Sequence, residues 1–104
     1  MDSKFMYEKE LNDLIESEEN FEFFRNLALE HMRFNPKLFK EVFDELLIFT
    51  KENKLNKTMG WAYYYLGWYY IDISEYEKAV DTFWISNDTF DSIGYKRGLI
   101  YAYN

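Results

Sequence analysis

The sequence predicts an all-α protein of about six helices, and three observations carry that expectation. Leu and aromatic residues recur at intervals of three and four along most of the chain. The 104 residues contain only four Gly and one Pro, too few for a loop-rich or disordered chain. The sequence also resembles itself at a step of 40: Phe39, Glu41-Val42 and Phe43 precede Ala79, Asp81-Thr82 and Phe83 by that interval.

The expected elements run in order along the chain. Residues 3–17 form a first helix, with Leu11, Leu14 and Ile15 on one apolar face. Residues 18–34 form a second, striped by Phe21, Phe24, Leu27, Ala28 and Met32, with Glu18 and Glu19 suited to its N-terminal dipole. Asn35-Pro36 is the clearest break, because the residue before Pro avoids helical angles while Pro itself is welcome at a first helical position. A third helix over residues 36–53 turns Leu38, Phe39, Val42, Phe43, Leu46 and Leu47 inward, and Lys51 and Lys54 suit its C-terminal end. The fourth covers residues 56–73. The fifth covers residues 75–92, with Ser74 and Glu77 expected as a capping box and Gly94 as its left-handed stop. A sixth begins near Tyr95 and still reads as helix at Asn104.

The fourth and fifth helices carry the most specific pattern. Tyr63, Leu66-Gly67 and Tyr70, followed by Ala79 and Phe83, have the order aromatic, two residues, Leu-Gly, two residues, Tyr, then Ala, three residues, Phe. This resembles the tetratricopeptide repeat (TPR) family. Tyr76 stands where that family often has an aromatic opening its second helix. Tyr63 replaces the usual Trp, Asp91 the usual Pro and Ser86 a common small residue; the missing Pro implies a second helix running past the usual stop. The resemblance implies antiparallel helix pairs stacked as a TPR-like right-handed solenoid. Gly67 would let the two helices cross closely, facing Ala79, with Tyr70 and Phe83 filling the space beside them. A helical Gly costs about 1 kcal/mol against Ala, which close packing would offset.

On this reading the chain is one TPR-like domain. It holds a degenerate repeat over residues 18–54, a clear one over 58–93 and the start of another over 95–104. Gly98 and Ala102 follow Gly60 and Ala62 by 38 and 40 residues, so the last segment resembles the opening of the fourth helix. A period near 40 resembles the longer-repeat TPR variants of bacterial regulators. An unfinished repeat leaves Ile100, Tyr101 and Tyr103 with an apolar face to cover. Either the sequence is a piece of a longer protein, the favoured expectation, or that face packs on a partner; in both cases exposed apolar surface and self-association through the final helix are expected.

Composition narrows the function. A net charge of −7 without a Lys/Arg cluster disfavours nucleic acid and anionic membrane as partners. With no Cys there is neither a disulfide framework nor thiolate chemistry. No apolar run reaches the roughly 20 residues of a spanning helix, and the N-terminus lacks the order of a signal peptide, so a soluble, cytoplasmic bacterial-type protein is expected. His31 is the only His, with no oriented nucleophile or metal ligand near it in sequence. Glu16, Glu18 and Glu19, and Asp81, Asp88 and Asp91, lack the spacing of a calcium loop and read as solvated acidic faces. No phosphate-cradling loop or nucleophile motif is present, so no catalytic residue, cofactor or metal is expected.

The expected activity is therefore recognition of a protein or peptide. In TPR scaffolds one face of the first helix of each pair lines a concave groove. The resemblance puts Trp61, Tyr64, Tyr65, Trp68 and Asp72 on that face, with Tyr63, Leu66, Gly67 and Tyr70 packed inward. Trp and Tyr provide large contact area at low entropic cost, which suits a peptide groove. The competing expectation is that these rings pack against the preceding repeat. The chain is similar to N-terminal TPR regions of bacterial signalling proteins, some of which precede a GGDEF-type diguanylate cyclase domain, and this implies a sensory, regulatory or dimerising role. The alternatives are a free-standing adaptor and the TPR region of a peptide-sensing transcription regulator. Against the latter, the first two helices are acidic (Glu8, Glu10, Asp13, Glu16, Glu18, Glu19) where a DNA-binding element would be basic.

Overall fold

The structure is a computed structural model that describes residues 33–95 together with Asn12, Arg25, Asn26, Leu29 and Glu30. Among the described residues the ordered elements are three α-helices: α1 (Pro36–Glu52), α2 (Asn56–Asp72) and α3 (Tyr76–Ser92). They correspond to the third, fourth and fifth expected helices, each within one residue of the expected bounds. The first, second and sixth, with the Ile100, Tyr101 and Tyr103 face, lie outside the described elements. The chain divides into two compact units, Met1–Leu55 and Asn56–Asn104. Their boundary falls between the two expected repeats. Among the described residues no helix is long and apolar enough to cross a membrane.

In the first unit, α1 starts where Asn35-Pro36 requires. Asn35 caps it, its side-chain oxygen accepting from the Leu38 N–H at 3.2 Å, and Pro36 occupies the first turn, where no N–H is needed. Phe39, Val42, Phe43, Leu46, Leu47 and Thr50 are buried, a stripe of three- and four-residue steps. Phe39 and Phe43 stack at 4.6 Å between centroids. Thr50 brings a hydroxyl into this stripe and satisfies it locally, donating to the Leu47 carbonyl at 2.9 Å.

In the second unit, α2 and α3 pack as an antiparallel hairpin. The helices differ in pattern. α3 buries Ala79, Thr82, Ser86, Asn87 and Phe90 and exposes much of its other side. α2 is apolar nearly all round, and only Trp68 and Asp72 along its length are exposed.

The three helices share one length and one ending. Each has 17 residues, and they start at residues 36, 56 and 76, a step of 20. After each helix one residue is left-handed: Lys54 (φ 56°), Ser74 (φ 63°) and Gly94 (φ 66°). The next residue then donates back to the helix: Leu55 to the Thr50 carbonyl at 2.9 Å, Glu75 to Tyr70 at 2.8 Å and Tyr95 to Phe90 at 2.9 Å. This is the six-to-one bond of a Schellman ending, which satisfies a terminal carbonyl. After α2 and α3 the second bond forms too, from Ser74 to Ile71 at 3.0 Å and from Gly94 to Asp91 at 3.1 Å.

Gly94 is thus the stop the sequence leads one to expect. Ser74 is not the expected cap. The connection from α2 to α3 is so short that Ser74 is used to close α2, and its positive φ is incompatible with capping α3. Glu75 takes the N-cap position without a side-chain hydrogen bond. The 40-residue self-similarity has a physical counterpart. The buried positions 39, 42, 46, 47 and 50 of α1 recur at 79, 82, 86, 87 and 90 of α3, whereas Phe83, the counterpart of Phe43, is half-buried.

Candidate functional site

The hairpin is held by two glycines of α2, each under a phenylalanine of α3. A Cβ placed on Gly60 would lie 2.4–2.9 Å from the Phe90 ring, and one on Gly67 would lie 2.6–2.8 Å from the Phe83 ring. Both approaches are closer than a methyl group tolerates, which explains why α2 carries Gly in its interior despite the propensity cost. The partner of Gly67 is therefore an aromatic ring, where a small-against-small contact with Ala79 was expected. Ala79 is buried all the same. The Ser86 hydroxyl, fully buried, donates to the Gly60 carbonyl across the helices at 2.8 Å. Ser86 at the position of a common small residue thus supplies a hydrogen bond that Ala could not.

Beside this seam the rings of α2 interlock with those of α3. Trp61 meets Phe90 edge-to-face at 5.1 Å, Tyr64 at 5.6 Å and Tyr95 at 6.2 Å. Tyr64 meets Phe83 at 5.9 Å and Trp68 at 6.4 Å, and Trp68 meets Phe83 at 5.8 Å. Edge-to-face pairs like these contribute about 0.5–1.5 kcal/mol each beyond the area they bury. At one end of the stack the Lys57 ammonium lies 4.9 Å above the Tyr95 ring.

The five expected groove residues divide accordingly. Tyr65 is only 9% exposed and belongs to the core. Trp61 and Tyr64 are half-buried. Trp68, 41% exposed, ends the stack, and Asp72 is exposed one helical turn further on. The residues expected to pack inward also divide: Leu66 and Gly67 are buried, Tyr63 and Tyr70 half-buried. Tyr76, expected as a packing residue, is 62% exposed. Tyr76 is the first residue of α3, and the buried positions of that helix begin one turn later, at Ala79.

What this arrangement offers chemically is a fixed indole with a carboxylate beside it on the same helix face. The indole suits an apolar, aromatic or cationic side chain, and the carboxylate a cation or a peptide N–H. Among the described residues no group of three or more His, Asp or Glu side chains could hold a metal ion. His31, Glu16, Glu18 and Glu19 lie outside the described residues, while Asp81, Asp88 and Asp91 lie on the exposed side of α3. Sequence reasoning missed the exposed apolar positions of α3, Val80 and Trp84 among them. Their signal was present, because both fall off the buried period of that helix. Compared with protein-family models, with curated proteins and with solved structures, the chain matches none.

Proposed function

We propose that this chain is a non-catalytic recognition scaffold of the TPR type, binding a peptide or protein segment against the Trp61–Tyr64–Trp68 edge of α2. The observation that carries this reading is that α2 exposes only Trp68 and Asp72, at the end of a ring stack that holds the indole in place. A fixed aromatic anchor loses little entropy on binding, which favours recognition over catalysis. Repeat architecture draws support from the 20-residue helix step and from the 40-residue recurrence of the buried register. We further propose, from the resemblance, that the scaffold serves as the sensory, regulatory or dimerising part of a bacterial signalling protein, such as one with a diguanylate cyclase output.

Peptides selected from a random library on the wild-type chain test the groove. Trp68→Ala should weaken their binding by about tenfold or more, as loss of an aromatic anchor does, while the chain still folds, with an unfolding temperature lowered only by the lost contacts to Tyr64 and Phe83. Undiminished binding would remove Trp68 from the site. Collapse of the fold would make Trp68 a core residue and end the groove reading.

A further inference from the structure

A second surface lies on α3, the helix that the groove reading does not use. Tyr76, Val80 and Trp84 are four residues apart and 62%, 55% and 59% exposed. Positions at that spacing form one continuous ridge along a helix. Burying Trp and Tyr is among the largest gains open to a folding chain, so three large side chains of one ridge left exposed among the described residues call for another explanation. The ridge is bordered by acid. Glu77 and Asp81 form the adjacent row, Asp88 continues the ridge one turn beyond Trp84, and Asp91 follows; all four are exposed. Lys78 is the only basic residue of α3, and its ammonium lies 6.0 Å over the Tyr70 ring.

We infer that the Tyr76–Val80–Trp84 ridge docks a basic amphipathic segment of a partner protein, whose apolar side chains cover the ridge while its Lys and Arg face Glu77, Asp81 and Asp88. Charge selects this occupant. A second copy of the chain would bring four carboxylates against four and add to a net charge of −7. An anionic membrane is repelled on the same ground. A basic segment meets both the apolar and the charged parts of the surface, in the helix-in-groove manner of recognition.

Two synthetic amphipathic peptides, each about five helical turns long, test this. Both carry Leu every third or fourth residue; the flanks are Lys and Arg in one and Glu in the other. Binding to the whole chain is read by anisotropy at two salt concentrations, and the unfolding temperature of each variant is measured alongside. The wild type should bind the basic peptide, bind it more weakly in higher salt, and ignore the acidic one. Trp84→Ser should weaken binding by about tenfold or more. The double variant Asp81→Lys, Asp88→Lys touches no core residue and should do the same. Failure to bind the basic peptide, equal binding of both peptides, or binding unmoved by Trp84→Ser overturns the proposal. A dimer seen by sedimentation without peptide and abolished by Trp84→Ser also overturns it, since the occupant would then be a second copy.

Discussion

At one end of the α2–α3 hairpin Gly60 lies under Phe90, and towards the α2–α3 turn Gly67 lies under Phe83. The device is the same, an aromatic ring seated where a helix lacks a side chain, but the surroundings differ. Phe90 is fully buried, flanked by Trp61 and Tyr95, with the Ser86 hydrogen bond to the Gly60 carbonyl beside it. Phe83 is half-buried, and the rings that touch it, Tyr64 and Trp68, are half-buried and exposed. One end is closed around its ring and the other is open to solvent. The difference teaches that close helix crossing and burial are separable: glycine fixes how near the helices come, and the neighbours decide whether the contact is core or surface. The candidate recognition residue Trp68 sits at the open end, where a partner can reach it.

The largest effect should come from emptying the closed end. Phe90→Ala removes a fully buried ring and leaves a cavity over Gly60, a change that costs about 3–5 kcal/mol. Urea unfolding should show a lower midpoint with a similar slope. Phe83→Ala, at the open end, should cost clearly less, because solvent can occupy the space; equal losses would erase the contrast between the ends.

Adding a methyl group asks the same question from the other side. Gly60→Ala gains about 1 kcal/mol of helix propensity, but forces a Cβ to 2.4 Å from a ring that cannot leave, and overpacking of that kind costs about 1–3 kcal/mol. The net should be destabilising. At Gly67 the Phe83 ring can swing outwards, so the propensity gain nearly offsets the strain and Gly67→Ala should stay within about 1 kcal/mol of wild type. The order of the two midpoints is the readout. Ser86→Ala, also at the closed end, should cost about 1 kcal/mol through loss of the interhelical hydrogen bond, whereas Thr89→Ala, whose hydroxyl only bonds back within α3, should cost less.

The contrast between the ends shows what could be read from the chain. Helix bounds were legible because their signals are local: Asn35-Pro36 opens α1, Gly94 closes α3, and the three- and four-residue stripe of α1 names its buried side in advance. Gly67 was legible as a close approach, but its partner was not, since which α3 residue lies opposite depends on the register of the hairpin, which no single position encodes. Of the groove residues, Trp68 and Asp72 are exposed, whereas Tyr65 is core, because α2 is apolar on nearly every side and periodicity cannot tell its surface from its interior. Ser74 was misread for a related reason. A Ser before a helix suggests a cap, but here the preceding helix claims it first.

That competition at Ser74 gives the smallest expected effect and separates the two ends once more. α3 ends with Gly94 in the left-handed position, and α2 ends with Ser74 at nearly the same φ and the same returning hydrogen bond. A side chain in that conformation costs about 1–2 kcal/mol, whereas Gly occupies it freely but gives up about 0.5–1 kcal/mol more backbone entropy on folding. The balance predicts that Ser74→Gly stabilises the chain by about 0.5–1 kcal/mol and that Gly94→Ser destabilises it by a similar amount. Thermal unfolding of the two variants should shift in opposite directions. If Ser74→Gly is instead destabilising, the Ser74 hydroxyl has a use in the turn beyond the backbone bonds, and the two endings, alike in backbone, are held by different forces.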